Sequence, residues 1–171
     1  TREPGGSEGA EAIRAMLLTG GADRWNARAE ALLFAAARAD HIEKTIRPAL
    51  ARGSWVLSDR FLDSSRAYQG QGELSDADIL ALHQIGSAGF LPDRTLFLTL
   101  PESEAEARAH ARDGDVSDRI GGRDRAFHRA VADAFIRFAA DEPARVRAID
   151  ASGAADDVTA RLLAALDDLL S

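Results

Sequence analysis

Two short runs carry side chains whose types and spacing suit chemistry. In WVLSDRFLDSSRAYQG (residues 55–70), Asp59 and Arg60 follow an apolar stretch, and Ser64, Ser65, Tyr68 and Gln69 come after at one- and four-residue spacings. A carboxylate at that position can hold hydrated Mg²⁺, and a guanidinium can grip a phosphate through two parallel hydrogen bonds. The same two residues could instead form a structural Asp–Arg pair. In LLFAAARADHIEK (residues 32–44), Phe34 and Arg38 are four apart and share a helix face that His41 and Thr45 continue. An aromatic ring and a guanidinium one turn apart can stack on a planar base and bond its edge. The alternative is a core phenylalanine under a snorkelling arginine.

Other stretches are weaker when taken alone. Pro4-Gly5-Gly6 bars helix until Ser7, which leaves Arg2 and Glu3 on a loop at the carboxyl end of a strand, where open α/β sheets bind ligands. Arg14, two turns into the next helix, could serve that site or simply pair with Glu11 on the surface. Arg108, Arg112, Arg119, Arg123, Arg125 and Arg129 flank Gly114 and Gly121-Gly122. Arginines on a glycine-hinged loop suit a lid over a polyphosphate, and equally a solvent loop paired with Asp113, Asp115, Asp118 and Asp124. The four histidines show no ligand spacing on one helix face, and no Gly-x-Ser-x-Gly elbow occurs. No Gly-x-x-x-x-Gly-Lys-Ser/Thr loop occurs either, and Lys44, the only lysine, lies within a helical pattern.

The elements that must position these residues follow from periodicity. Ser7 caps a helix to Leu18, and a long helix runs from about Asn26 to Ala51, with Pro48 disturbing its last turn. Residues 55–59 read as a buried parallel strand. Helices are expected at 62–69 and 75–88, a strand at 95–100, helices at 102–112 and 124–140, a strand at 145–150 and a closing helix at 155–170. Strands alternating with helices predict an α/β domain with a parallel sheet covered on both faces, formed by one domain of 171 residues. A net charge of −7 argues against a general nucleic-acid surface, though not against a small anion held by a few arginines. Cysteine is absent, which excludes disulfides and thiolate sites. No apolar run approaches a membrane span, so a cytoplasmic location is expected.

TREPGG, the Arg14 helix, LLFAAAR, the SDRF…DSS..AYQG run, LPD before a strand and the arginine-rich loop ahead of AFHRAV together resemble the bacterial thymidylate kinases with catalytic arginines in the lid. The resemblance covers essentially the whole chain. It implies a three-layer P-loop NTPase fold of the nucleoside monophosphate kinase type, and transfer of a phosphoryl group from Mg·ATP to dTMP. It further implies that Phe34 stacks on thymine while Arg38 and Gln69 bond its edge beside Ser65. Tyr68 would lie against the deoxyribose, Arg14 and Arg60 on the 5′-phosphate, and Asp59 near Mg²⁺. Arg112 and Arg119 would be lid arginines within residues 108–125, Arg112 reaching the ATP side, and Ala151 and Ser152 would border the adenine. A homodimer is implied as well. The family's phosphate-binding loop precedes TREPGG, so a native chain longer by a central first strand and its loop is expected. Ile120-Gly121-Gly122 stands where acidic residues often follow the lid Asp-Arg pair. Two rival readings are a kinase for another pyrimidine nucleotide and a non-catalytic nucleotide-binding module.

Overall fold

The computed structural model describes residues 1–21, 23–70, 72–113 and 120–170. These form two compact units, one made of residues 1–91 with 120–131, the other of 92–113 with 132–170.

The first unit is helical. Helix α1 (Glu8–Leu18) starts where expected, with Ser7 Oγ accepting from the Ala10 N–H. Helix α2 (Ala27–His41) is capped by Asn26, and it passes through a π-helical turn (Ile42–Ile46) into α3 (Arg47–Ala51). The single helix expected over 26–51 is therefore three segments of one path. Pro48 gives the cause: it cannot donate to the carbonyl four residues back, and its ring would crowd that carbonyl at Lys44, so the wider turn sits just upstream. Helix α4 (Leu62–Gln69) follows, and α5 (Asp76–Ser87) opens with a reciprocal capping box between Ser75 and Asp78. Ala31, Leu62, Leu74 and Ile79 form the core joining α2, α4 and α5, with Phe61 and Leu82 against it. Arg66 fastens α4 to the start of α5, bonding Asp63 (3.1 Å) and gripping both oxygens of Asp76 (2.8 and 2.9 Å).

Residues 55–59 are not the buried strand expected. Their pairing is confined to a parallel bridge between Arg2 and Asp59, flanked by bonds from Thr1 N to Leu57 O, Asp59 N to Thr1 O and Glu3 N to Asp59 O. Trp55 is 60% exposed and Leu57 75% exposed. An apolar run becomes a strand only with a hydrogen-bonding neighbour along its length, and residues 1–3 supply one for the last few positions alone.

The second unit holds the two described strands, β1 (Thr95–Thr99) and β2 (Val146–Asp150), paired parallel with Thr95 opposite Val146 and Thr99 opposite Asp150. Helix α6 (Glu102–Asp113) follows β1. Helix α7 (Arg125–Asp141) begins in the first unit and ends in the second, where Phe135 stacks on Phe97 of β1 at 4.6 Å and 10°. The closing helix expected over 155–170 divides into α8 (Ala155–Ala164) and α9 (Asp167–Leu170). Arg94 reaches the break, donating to Ala165 O (3.2 Å) and to Asp168 (2.6 Å). The architecture is α/β, rich in helix, with a small parallel sheet. Among the described residues no helix is long and apolar enough to cross a membrane.

Candidate functional site

The short pairing of residues 1–3 with 57–59 delivers Glu3 to the interior of the first unit, where it is 5% exposed. Its carboxylate accepts from Arg38 Nε at one oxygen (2.8 Å) and contacts His41 Nδ1 at the other (3.0 Å). Arg38, 3% exposed, also donates from Nη2 to Ser65 Oγ (2.7 Å), and its guanidinium lies 5.4 Å from the Phe61 ring. A guanidinium is costly to bury without acceptors, and here a carboxylate and a hydroxyl take two of its corners. Nη1 has no hydrogen-bond partner among the described residues. The fully buried His41 meets Thr1 Oγ1 (2.8 Å) through Nε2, and Thr45 Oγ1 donates to Gly6 O (2.6 Å). The 34/38/41/45 face of the long helical path is therefore the wall against which the TREPGG loop lies. Gly6 is required there: it sits at φ +86°, and a Cβ would collide with the His41 ring and Thr1 Oγ1.

A second buried carboxylate stands one turn before Phe34 on α2. Glu30 accepts from Gln69 Nε2 (3.0 Å), and Arg123 Nη2 reaches both of its oxygens at 3.1 Å. Arg123 also covers the face of Phe127 at 4.5 Å, Phe127 meets Tyr68 edge-on at 5.8 Å, and Tyr68 carries Arg60 over its ring at 5.0 Å. Ser65 and Gln69, one turn apart on α4, face α2 together. Phe34 is half-buried and has no ring partner among the described residues.

Arg14 does not take the surface pairing with Glu11. It donates from Nη1 to Pro4 O (2.8 Å), at the base of the loop, and Glu11 is held instead by the Gly6 N–H (3.0 Å) and by Arg2 (3.1 Å). The Gly6 hydrogen bond, reinforced by the positive charge of Arg2, keeps the Glu11 carboxyl below its ordinary range. Asp59 and Arg60 form no ion pair with each other: Arg60 adopts φ +70° and turns to Tyr68, and the exposed Asp59 carboxylate has no hydrogen-bond partner among the described residues.

In the second unit, the loop after β2 borders a cavity of about 470 Å³ lined by Leu98, Arg108, Ala151, Gly153, Val158 and Thr159. Ala151 is buried at its edge, and the Ser152 N–H donates to Asp150 Oδ1 (2.9 Å). Hydrogen bonding by Ser152 holds the Asp150 carboxyl below its ordinary range. Arg112 belongs to α6, and Arg119 lies outside the described residues.

Of the residues expected at a site, the first unit brings Arg38, Ser65 and Gln69 to one wall and Arg60 and Tyr68 to another. Sequence reasoning placed Glu3 on the loop at a strand end and His41 on the Phe34 and Arg38 face, but missed that Glu3 is buried as their anchor, and missed Glu30 altogether. A faint signal existed: Glu3 follows an arginine at the end of a strand-like segment, and Glu30 lies four residues before Phe34 and eight before Arg38, on the same helix side.

The family model described as thymidylate kinase matches residues 1–162. A thymidylate kinase of Rhizorhabdus wittichii is 63% identical over 99% of this chain and 82% of its own length. Those of Bradyrhizobium diazoefficiens and Nitrobacter winogradskyi are 46% and 47% identical over 99% and 98% of the chain, and 75% and 74% of their own lengths. A family-wide match and high identity along nearly the whole chain lead to one conclusion: the chain belongs to the thymidylate kinase family.

Proposed function

We propose that this protein phosphorylates dTMP to dTDP with ATP as phosphoryl donor, as a step of nucleotide biosynthesis. The observation that carries the reading is the pair of polar groups left by Arg38 and Gln69, with Arg38 bonded to Ser65 one turn from Gln69 on α4. Arg38 retains unpaired donors at Nη1, and because Gln69 gives its NH₂ to Glu30, its Oε1 is left as an acceptor. A donor beside an acceptor is the complement of a pyrimidine that carries a C4 carbonyl next to an N3–H, as thymine does. Phe34 supplies the stacking face, and Tyr68 lies against the sugar, where its bulk disfavours a 2′-hydroxyl.

Phosphoryl transfer leaves the protein little covalent work; it positions the reactants and neutralises phosphate charge. Arg14, anchored at Pro4 O, and Arg60, steadied over Tyr68, hold the 5′-phosphate so that its oxygen faces the donor. Arg112 and Arg119 belong to a lid spanning about 108–125 and meet the transferring group, with Arg112 also on the ATP side. Ala151 and Ser152 border the adenine, beside a cavity of suitable size. The Asp59 carboxylate, exposed and without a partner among the described residues, fits Mg²⁺, which favours one or two carboxylates with water and phosphate oxygens over a protein cage. Bound there, Mg²⁺ would offset phosphate charge. The same reading includes a single catalytic domain of the three-layer P-loop type, a homodimer and a cytoplasmic location.

A coupled ADP-release assay on the full-length enzyme with dTMP, dUMP and UMP tests this. Turnover of dTMP with clear preference over UMP is expected. Comparable turnover of UMP would refute the role of Tyr68, and dTMP binding without ADP release would favour a non-catalytic nucleotide-binding module.

A further inference from the structure

We infer that Glu30 and Arg123 are positioning residues that set the enzyme's choice between keto and amino pyrimidines by fixing which way the Gln69 amide faces. This rests on the dTMP reading above.

A glutamine amide presents a donor on one side and an acceptor on the other, and in isolation the two orientations are nearly equal in energy. Gln69 does not have that freedom. Its partner Glu30 is a carboxylate, which only accepts, so the 3.0 Å contact requires the NH₂ to face Glu30. Turning the amide over would set Oε1 against a carboxylate oxygen in a site where both side chains are buried. Oε1 is thereby committed as an acceptor, while Glu3 and Ser65, the latter one turn from Gln69 on α4, hold the Arg38 donors in place.

Arg123 completes the device. A buried carboxylate without a cation is costly, and Arg123 reaches both Glu30 oxygens at 3.1 Å while its guanidinium rests on Phe127. Arg123 therefore acts away from the phosphates, unlike the role its place in the arginine-rich loop suggests. The result is an order of command: Arg123 keeps Glu30 an acceptor, Glu30 makes Gln69 present an acceptor, and Gln69 requires an N–H from the base. Thymine and uracil have it at N3. Cytosine has a lone pair there and meets a repulsive contact.

Glu30→Met tests the chain of effects by removing the acceptor, since Gln69 and Arg123 share Oε1 and a glutamine at 30 could keep an oxygen there for both. Without Glu30, the Gln69 amide is free to present its NH₂ to the base. The ratio of dissociation constants for dCMP and dTMP, measured by titration calorimetry, should fall by at least roughly tenfold, the scale of one mispaired buried polar contact. The double variant Glu30→Met/Gln69→Glu places an acceptor-only group at 69 again and should restore the ratio. A merely structural role would weaken both nucleotides equally, so an unchanged ratio in Glu30→Met overturns the inference. A lost ratio that the double variant does not recover overturns it as well. A wild-type enzyme that binds dTMP no tighter than dCMP would refute the dTMP reading itself.

Discussion

Replacing Glu3 removes the carboxylate from which the buried Arg38 is hung. Arg38 and Glu3 are 3% and 4% exposed at their side chains, and their Nε–Oε2 distance is 2.8 Å. Breaking a buried pair by deleting one member costs about 3–5 kcal/mol, because the surviving charge is left without its counterion. His41 loses its Nδ1 partner in the same step. For a chain of this length each kcal/mol shifts the melting temperature by roughly 2–4 °C, so Glu3→Ala should melt about 6–20 °C lower. Glu3→Gln keeps one acceptor oxygen and loses the charge, and its cost should be smaller, about 1.5–3 kcal/mol. The pairing is isolated by a double-mutant cycle in urea with Glu3→Gln, Arg38→Met and both together. If the pair is as buried and specific as its geometry, the double variant is less destabilised than the sum of the singles by more than about 1 kcal/mol. Additivity within about 0.5 kcal/mol would refute the reasoning, since independent sites behave that way.

Two further perturbations separate binding from folding. Arg60 occupies the left-handed region at φ +70°, which glycine adopts without steric cost, so Arg60→Gly should leave the melting temperature unchanged or slightly raised. The same variant should lower kcat/KM for dTMP roughly 10- to 100-fold through loss of charged hydrogen bonds to phosphate, and unchanged steady-state kinetics would remove Arg60 from the site. His83 is buried with Nε2 donating to Phe90 O (2.7 Å), and burial pushes its pKa below the usual value. As pH falls through about 6.5 the unfolded chain takes up the proton before the folded one does, so stability present above that pH declines toward the lower folded pKa. His83→Gln retains a donor and cannot titrate; an equal drop in urea midpoint between pH 7.5 and 5.5 in both proteins would contradict this assignment.

Local rules account for most of what the sequence foretold. Ser7, Asn26 and Ser75 cap the helices they precede, and helix 62–69 has its expected limits, because caps and periodicity act within a few residues. The strand expected at 55–59 failed for a complementary reason. Apolar run and flanking polar residues satisfied the pattern, but pairing depends on a neighbour remote in the chain, and among the described residues Thr1–Glu3 alone pair with it. The π-helical turn was half legible: Pro48 marked the disturbance, while its resolution upstream rather than at the proline depended on how the helix packs.

The site divides along the same line. Phe34, Arg38, Ser65, Tyr68 and Gln69 could be proposed because an aromatic, cation or amide at helical spacing carries its chemistry in its own type. The burial of Glu3 and Glu30 could not be foreseen, because a glutamate in a helix or beside an arginine is ordinarily a solvated surface charge, and nothing local reveals that folding will bury it. Their importance is a property of pairing: each is nearly inaccessible, each accepts from an arginine, and each thereby decides what a neighbouring side chain offers to the base. Arg38 anchored by Glu3 presents donors, and Gln69 anchored by Glu30 presents an acceptor. On the proposed function, buried acids that meet no ligand would thus set the hydrogen-bonding edge offered to the nucleotide.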